Sequence, residues 1–141
     1  MGGDIAAMTE DDLLNAARAA RPRAHAPYSR FFVGAAVLAD DGRIYAGCNV
    51  ENASYPEGVC AEGGALSAMV LGGGRKAMMV AISAGPEGKV QPVWPCGGCR
   101  QRILEFATPD TVVITDTASG QPERTTFADL MPKTFGANDL R

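Results

Sequence analysis

At 141 residues the chain is long enough to bury a substantial core, and residues 1–141 are read as a single domain. A composition of 46% hydrophobic and 21% charged residues is that of a folded globule and excludes a disordered chain. The formal charge of -3 argues against a nucleic-acid polymer as substrate, which calls for a basic face, but not against a small uncharged ligand.

The opening Met1-Gly2-Gly3-Asp4-Ile5 has neither the basic nor the apolar segment of a secretory leader, and no apolar stretch approaches the length of a membrane span. The expected location is the cytoplasm, with no membrane partner. Thiols stay reduced there, so the four cysteines read as ligands or free thiols rather than disulfides.

In chain order, Thr9-Glu10-Asp11-Asp12 reads as a helix start: Thr9 can cap, and the acids favour the positive end of the helix dipole. Leu13, Leu14, Ala17 and Ala20 fall near one face before Pro22 stops the helix. Phe32 to Ala39 is a continuous apolar run, expected as a buried strand. Asp40-Asp41-Gly42 is turn chemistry, and Arg43 to Cys48 returns as a second strand. Asn49 to Val59 is a polar loop. A helix is expected from Cys60 up to the breaker Gly72-Gly73-Gly74, then a strand over Ala77 to Ala84. After a Pro-rich loop come a helix from Cys96 to Phe106, a strand over Thr111 to Thr115, a fifth over Arg124 to Phe127 and a helical turn at Ala128 to Met131. A hairpin followed by alternating strands and helices implies an α/β fold with a mixed five-stranded sheet and helices packed on it.

Two segments carry the chemistry: Cys60-Ala61-Glu62 and Pro95-Cys96-Gly97-Gly98-Cys99. Cys96 and Cys99 are three apart and share a face if helical. Cys60 and Glu62 are two apart, so they can share a site only if Cys60 stands at the very start of its helix. Thiolates at helix N-termini gain from the dipole. Three thiolates suit Zn²⁺, which is tetrahedral and borderline-soft, and they leave the fourth position to water with Glu62 beside it.

The chain resembles the small, homotetrameric, zinc-dependent cytidine deaminases through most of its length. The resemblance rests on Tyr28-Ser29-Arg30-Phe31-Phe32-Val33-Gly34-Ala35-Ala36, on Asn49-Val50-Glu51-Asn52-Ala53-Ser54-Tyr55, on both cysteine motifs in their order, and on Leu130-Met131-Pro132 with Phe135-Gly136. It implies a three-layer α/β/α sandwich and one Zn²⁺ per subunit on Cys60, Cys96 and Cys99. Glu62 would be the catalytic proton shuttle, and the activity would be deamination of cytidine or deoxycytidine in pyrimidine salvage. It also implies that Asn49 and Glu51 hold the ribose hydroxyls, that Ala61 offers backbone groups to the pyrimidine edge, and that Phe31 packs on the base. Phe135 would do the same from a neighbouring subunit, so that sites are shared within the tetramer.

The chain departs from the family at two places. Gly63-Gly64 stands where Arg-Thr commonly follows the glutamate. Zn²⁺ with three thiolates is left with a net negative charge, and helix dipoles and Arg100 are expected to offset it. The two glycines, each costing roughly 1 kcal/mol in a helix, are expected to permit close packing against another helix or subunit. Trp94 stands where relatives place a smaller residue. Three other readings stay open: a redox dithiol at Cys96 and Cys99, a closed structural zinc site with Cys48 as a fourth ligand, and an aminohydrolase acting on another aminopyrimidine such as a blasticidin-type antibiotic. His25 is expected to be exposed and unconnected to the metal.

Overall fold

The computed structural model describes residues 9–141. Helix α1 spans Glu10–Ala20 and opens on a reciprocal cap: Asp12 N donates to Thr9 Oγ1 at 3.1 Å and Thr9 N to Asp12 Oδ2 at 2.9 Å. Leu13, Leu14 and Ala17 are its buried stripe; Ala20 is only half-buried. Strands β1 (Phe31–Ala39) and β2 (Ile44–Cys48) form the expected hairpin. Helix α2 covers Ala61–Gly72 and ends on Gly73 at φ 102°, a left-handed position that favours glycine.

Strand β3 runs from Ala77 to Pro86, two residues beyond the expected end, and pairs antiparallel with β1 along its whole length. Helix α3 is shorter than expected, Gly97–Leu104, with Cys96 as its N-cap. Strand β4 is longer, Ala107–Thr115. Ala107 pairs with Ala77, and regular pairing resumes at Val112 after a register shift that accommodates Pro109. Strand β5 is Glu123–Thr126. Phe127, expected in that strand, instead opens the short helix α4 (Phe127–Leu130), because the Thr126 hydroxyl accepts from Asp129 N and caps the turn.

The sheet order is β2-β1-β3-β4-β5; only β3 and β4 are parallel, joined by the crossover through α3. Helices cover both faces, which is why β1 is apolar throughout rather than alternating. Ala36, Ala81 and Ile114 face α1. Ala35, Val37, Val80, Ile82 and Val113 face the other way, onto Ala61, Ala65 and Met69 of α2, Ile103 of α3 and Phe127 of α4.

Two strand glycines set the spacing of these layers. A Cβ at Gly34 would overlap the Ala17 carbonyl and the Arg21 amide of the α1 side, and one at Gly47 would lie 2.6 Å from Ala61 O and 2.8 Å from Gly64 C. Within the chain, Gly64 lies closest to the backbone of β2, at Gly47 and Cys48, while Gly63 faces the side chain of Arg102 on the neighbouring helix. Among the described residues no helix is long and apolar enough to cross a membrane.

Candidate active site

Both cysteine motifs lie at helix starts, as their spacing requires. Cys60 is the N-cap of α2 with extended backbone (φ -75°, ψ 155°), so Glu62 follows only one step into the helix. Cys96 caps α3 in the same way (φ -66°, ψ 167°), and Cys99 lies in its first turn, fully buried. The sulfurs of Cys60, Cys96 and Cys99 all lie within 4.8 Å of one another. Tetrahedral zinc with Zn–S bonds of about 2.3 Å needs sulfurs about 3.8 Å apart, so a small contraction around a cation suffices. Cys48 lies outside this group, on β2 opposite Gly34, which removes the observation a four-thiolate site needs. His25 is exposed and also outside it; its backbone instead pairs with the loop after β2, donating to Asn49 O at 3.0 Å and accepting from Glu51 N at 2.8 Å.

The sulfurs are close enough to share protons. A hydrogen bond from Cys99 pulls the Cys60 thiol down to about 6; Cys96 and Arg102 act in the same sense and burial opposes them. The Cys99 thiol is pushed up by that same bond, by burial and by Glu62. Metal binding by thiols releases their protons, and crowded sulfurs of this kind are what a divalent cation bridges. Glu62 is 5% exposed. Burial raises its carboxyl above its ordinary value and the Cys60 charge adds to this; its own backbone amide, Cys99 and Arg102 pull the other way.

A cavity of about 590 Å³ opens beside this cluster, lined by Cys60, Ala61, Glu62 and Cys96 at one part and by Asn49, Glu51 and Tyr55 at another. Glu51 accepts from Tyr28 N at 3.0 Å, Ser29 N at 3.1 Å and the Ser29 hydroxyl. The Ser29 hydroxyl is the main reason its carboxyl is held low, against some burial. Asn49 continues the sheet with its side chain, accepting from Val33 N and donating to Phe31 O, both at 2.9 Å. Half of its hydrogen-bonding capacity remains for a ligand.

The structure thus brings Cys60, Ala61, Glu62, Cys96, Asn49 and Glu51 to one cavity, with Cys99 buried behind them. Phe31 packs against the core; Val33, two residues on and on the same strand face, lines the cavity instead. Phe135 is 60% exposed and does not line this cavity. Trp94 lines it beside Cys96, its segment pinned by Thr115, which accepts from Val93 N at 3.1 Å and donates to Val93 O at 2.8 Å.

Arg100 does not face the sulfurs. It donates to Pro95 O at 2.8 Å and Leu130 O at 2.7 Å, tying the second cysteine motif to α4. The arginine at the sulfurs is Arg102, whose Nη1 donates to Cys99 Sγ at 3.6 Å. Sequence reasoning missed it, although its three-residue spacing from Cys99 was the available signal.

Fold and site together define a metal-dependent α/β protein with sulfur ligands. The chain belongs to the cytidine and deoxycytidylate deaminase zinc-binding family, whose model matches residues 8–115. Zinc is its cofactor. A cytidine deaminase of Sporosarcina psychrophila is 44% identical over 133 residues, covering 94% of this chain and 96% of that one. One from Mycobacterium tuberculosis is 43% identical, covering 83% and 82%. Among solved structures, the cytidine deaminase of Burkholderia pseudomallei superposes with a TM-score of 0.81 at 42% identity, covering 91% of this chain and all of that one. That of Mycobacterium tuberculosis superposes at 0.75 and 40% identity, covering 92% and 99%.

Proposed function

We propose that this chain hydrolytically deaminates cytidine and deoxycytidine, giving uridine or deoxyuridine and ammonia, as a single catalytic domain over residues 1–141. The observation that carries the reading is the convergence of the Cys60, Cys96 and Cys99 sulfurs beside the buried carboxyl of Glu62, at a cavity that also holds Asn49 and Glu51.

Cys60, Cys96 and Cys99 hold the zinc, which supplies a Lewis acid that makes water nucleophilic at neutral pH. Glu62 takes a proton from the attacking water as its oxygen bonds to C4 of the pyrimidine, and delivers that proton to N3. Glu62 then takes the proton of the new C4 hydroxyl and passes it to the amine; the C–N bond breaks, the carbonyl forms and ammonia leaves. A carboxyl raised by burial suits a group that must both accept and release a proton in each turnover. Ala61 presents backbone groups to the pyrimidine edge. The free donor and acceptor of Asn49 and the carboxylate of Glu51 pair with the ribose diol. Val33 offers an apolar contact to the base from β1, with Phe31 two positions before it.

The assembly is a homotetramer in the cytoplasm, with Phe135 reaching the base in a neighbouring subunit. Support comes from the exposure of Phe135 (60%), Tyr55 (76%), Val59 (48%) and Val50 (47%), the last three lining the cavity. A fully active monomer by sedimentation would refute this part.

The test of the reaction is incubation of the purified protein with cytidine, deoxycytidine, cytosine and a blasticidin-type nucleoside. It follows ultraviolet absorbance and ammonia, with elemental analysis of the same sample. One zinc per chain with turnover of the free nucleosides is expected. Zinc without ammonia from either nucleoside, or turnover of the antibiotic alone, would overturn it.

A further inference from the structure

Arg102 is not part of either cysteine motif, yet it lies closer to the sulfur cluster than any residue named for that role from sequence. It stands on α3 one turn after Cys99 and donates to its sulfur at 3.6 Å. Its side chain runs across the first turns of both site helices. A Cβ at Gly63 of α2 would lie 3.6 Å from Arg102 Cδ and 3.8 Å from Nε, and one at Gly98 of α3 would lie 3.5 Å from Nη1. A methyl group fits at either glycine, but a longer chain at 63 enters the space that Arg102 fills. Among the described residues Arg102 forms no ion pair with a carboxylate. Its charge is therefore directed at the thiolates.

We propose that Arg102 is the residue that balances the negative charge of the three-thiolate zinc centre and orients Cys99, and that Gly63 is small because Arg102 lies over it. The proposal rests on the zinc reading above. Zn²⁺ and three thiolates leave one net negative charge, and a guanidinium hydrogen-bonded to one sulfur neutralises it without occupying a coordination position. Arg102 does not line the substrate cavity, so it acts through Cys99 as a positioning residue. Its outer side faces solvent, which screens its field and places the effect at the low end of such outer contacts, about tenfold in metal affinity.

The experiment competes the zinc-loaded wild type, R102M, R102K and the double variant G63R/R102M against a chromophoric chelator, and measures kcat and KM for cytidine and the unfolding midpoint for each. R102M keeps the aliphatic cover over the glycines and removes only the charge. It is expected to lose zinc at roughly tenfold lower chelator and to lose kcat rather than KM. R102K recovers part of the loss, and G63R/R102M, which brings a guanidinium into the same space from α2, recovers most of it. R102M equal to wild type in zinc retention and kcat would overturn the proposal. So would a defect in R102M that neither R102K nor the double variant relieves. A wild type that binds no zinc refutes the metal reading itself, which this comparison separates from failure of Arg102 alone.

Discussion

The two faces of the sheet carry cavities of almost equal size, about 630 Å³ on the α1 side and about 590 Å³ on the α2 and α3 side, and their polar groups behave differently. On the α1 side the charges are consumed within the protein. Arg18 donates to Asp116 at 2.9 and 3.0 Å and to Gly120 O at 3.1 Å. The Ser83 hydroxyl donates to Asp116 at 2.9 Å, and Arg21 donates to the carbonyls of Phe32, Pro86 and Lys89. On the other side sulfurs crowd together, a carboxyl is buried at a raised pKa, and Asn49 keeps hydrogen-bonding capacity in reserve. The size of a cavity therefore says little about function. A site is recognised by groups held in place but not consumed, and a structural network by groups whose partners are complete.

The largest test of this contrast is Glu62→Gln, which keeps shape and removes the proton acceptor. Turnover of cytidine should fall by about 10²–10⁴ with zinc retained; near-normal kcat would place Glu62 among the structural groups. Next is Cys99→Ser, at the fully buried sulfur of the cluster. Zinc per chain should fall well below one and the thermal midpoint should drop, because metal binding is linked to folding; full zinc content would break the three-sulfur reading.

The two close-packing glycines differ in which face they support. Gly34→Ala and Gly47→Ala should each destabilise by about 1–3 kcal/mol in urea unfolding, since each puts a Cβ into helix backbone. Gly47→Ala should also lower activity at temperatures where the protein remains folded, because it moves the turn that carries Cys60 and Glu62. Gly34→Ala should not. Equal activity losses in the two would dissolve the distinction.

The smallest effect belongs to Asp116→Asn, about 1–2 kcal/mol given that Arg18 is part-exposed. Burial pushes the Asp116 carboxyl up, but the bonds from Arg18 and Ser83 outweigh it and hold the carboxyl below its ordinary value. A lowered folded value means the stabilisation is complete above the unfolded pKa of about 3.9 and disappears as pH falls through the folded value. The difference between wild type and Asp116→Asn should therefore be constant near neutral pH and shrink in acid, with activity at pH 7 little changed.

Local chemistry made much of this legible in advance. The cap at Thr9, the turn at Asp40-Asp41-Gly42 and the stop at Gly72-Gly73-Gly74 are short-range effects and are found where expected. Element ends were less legible. Phe127 reads as strand by composition and is helical because a threonine cap precedes it, and β4 starts early because Ala107 finds Ala77 across a bulge. At the site, Cys60, Glu62, Cys96 and Cys99 were readable from spacing. Val59 and Ile82, which also line the cavity, are aliphatic residues outside those motifs and carry no chemical signature of their own.

The order of residues along the chain was enough to set out the chemistry of the site: three thiols and an acid at spacings that suit one cation only if both segments begin helices. Tertiary structure decided which arginine answers them. Arg100 and Arg102 differ by two positions on one helix, so they point to different sides, and only the packing of α3 against α2 settles that the first ties down Pro95 and Leu130 while the second reaches Cys99. Residue type gives the charge, but its direction depends on how two helices meet.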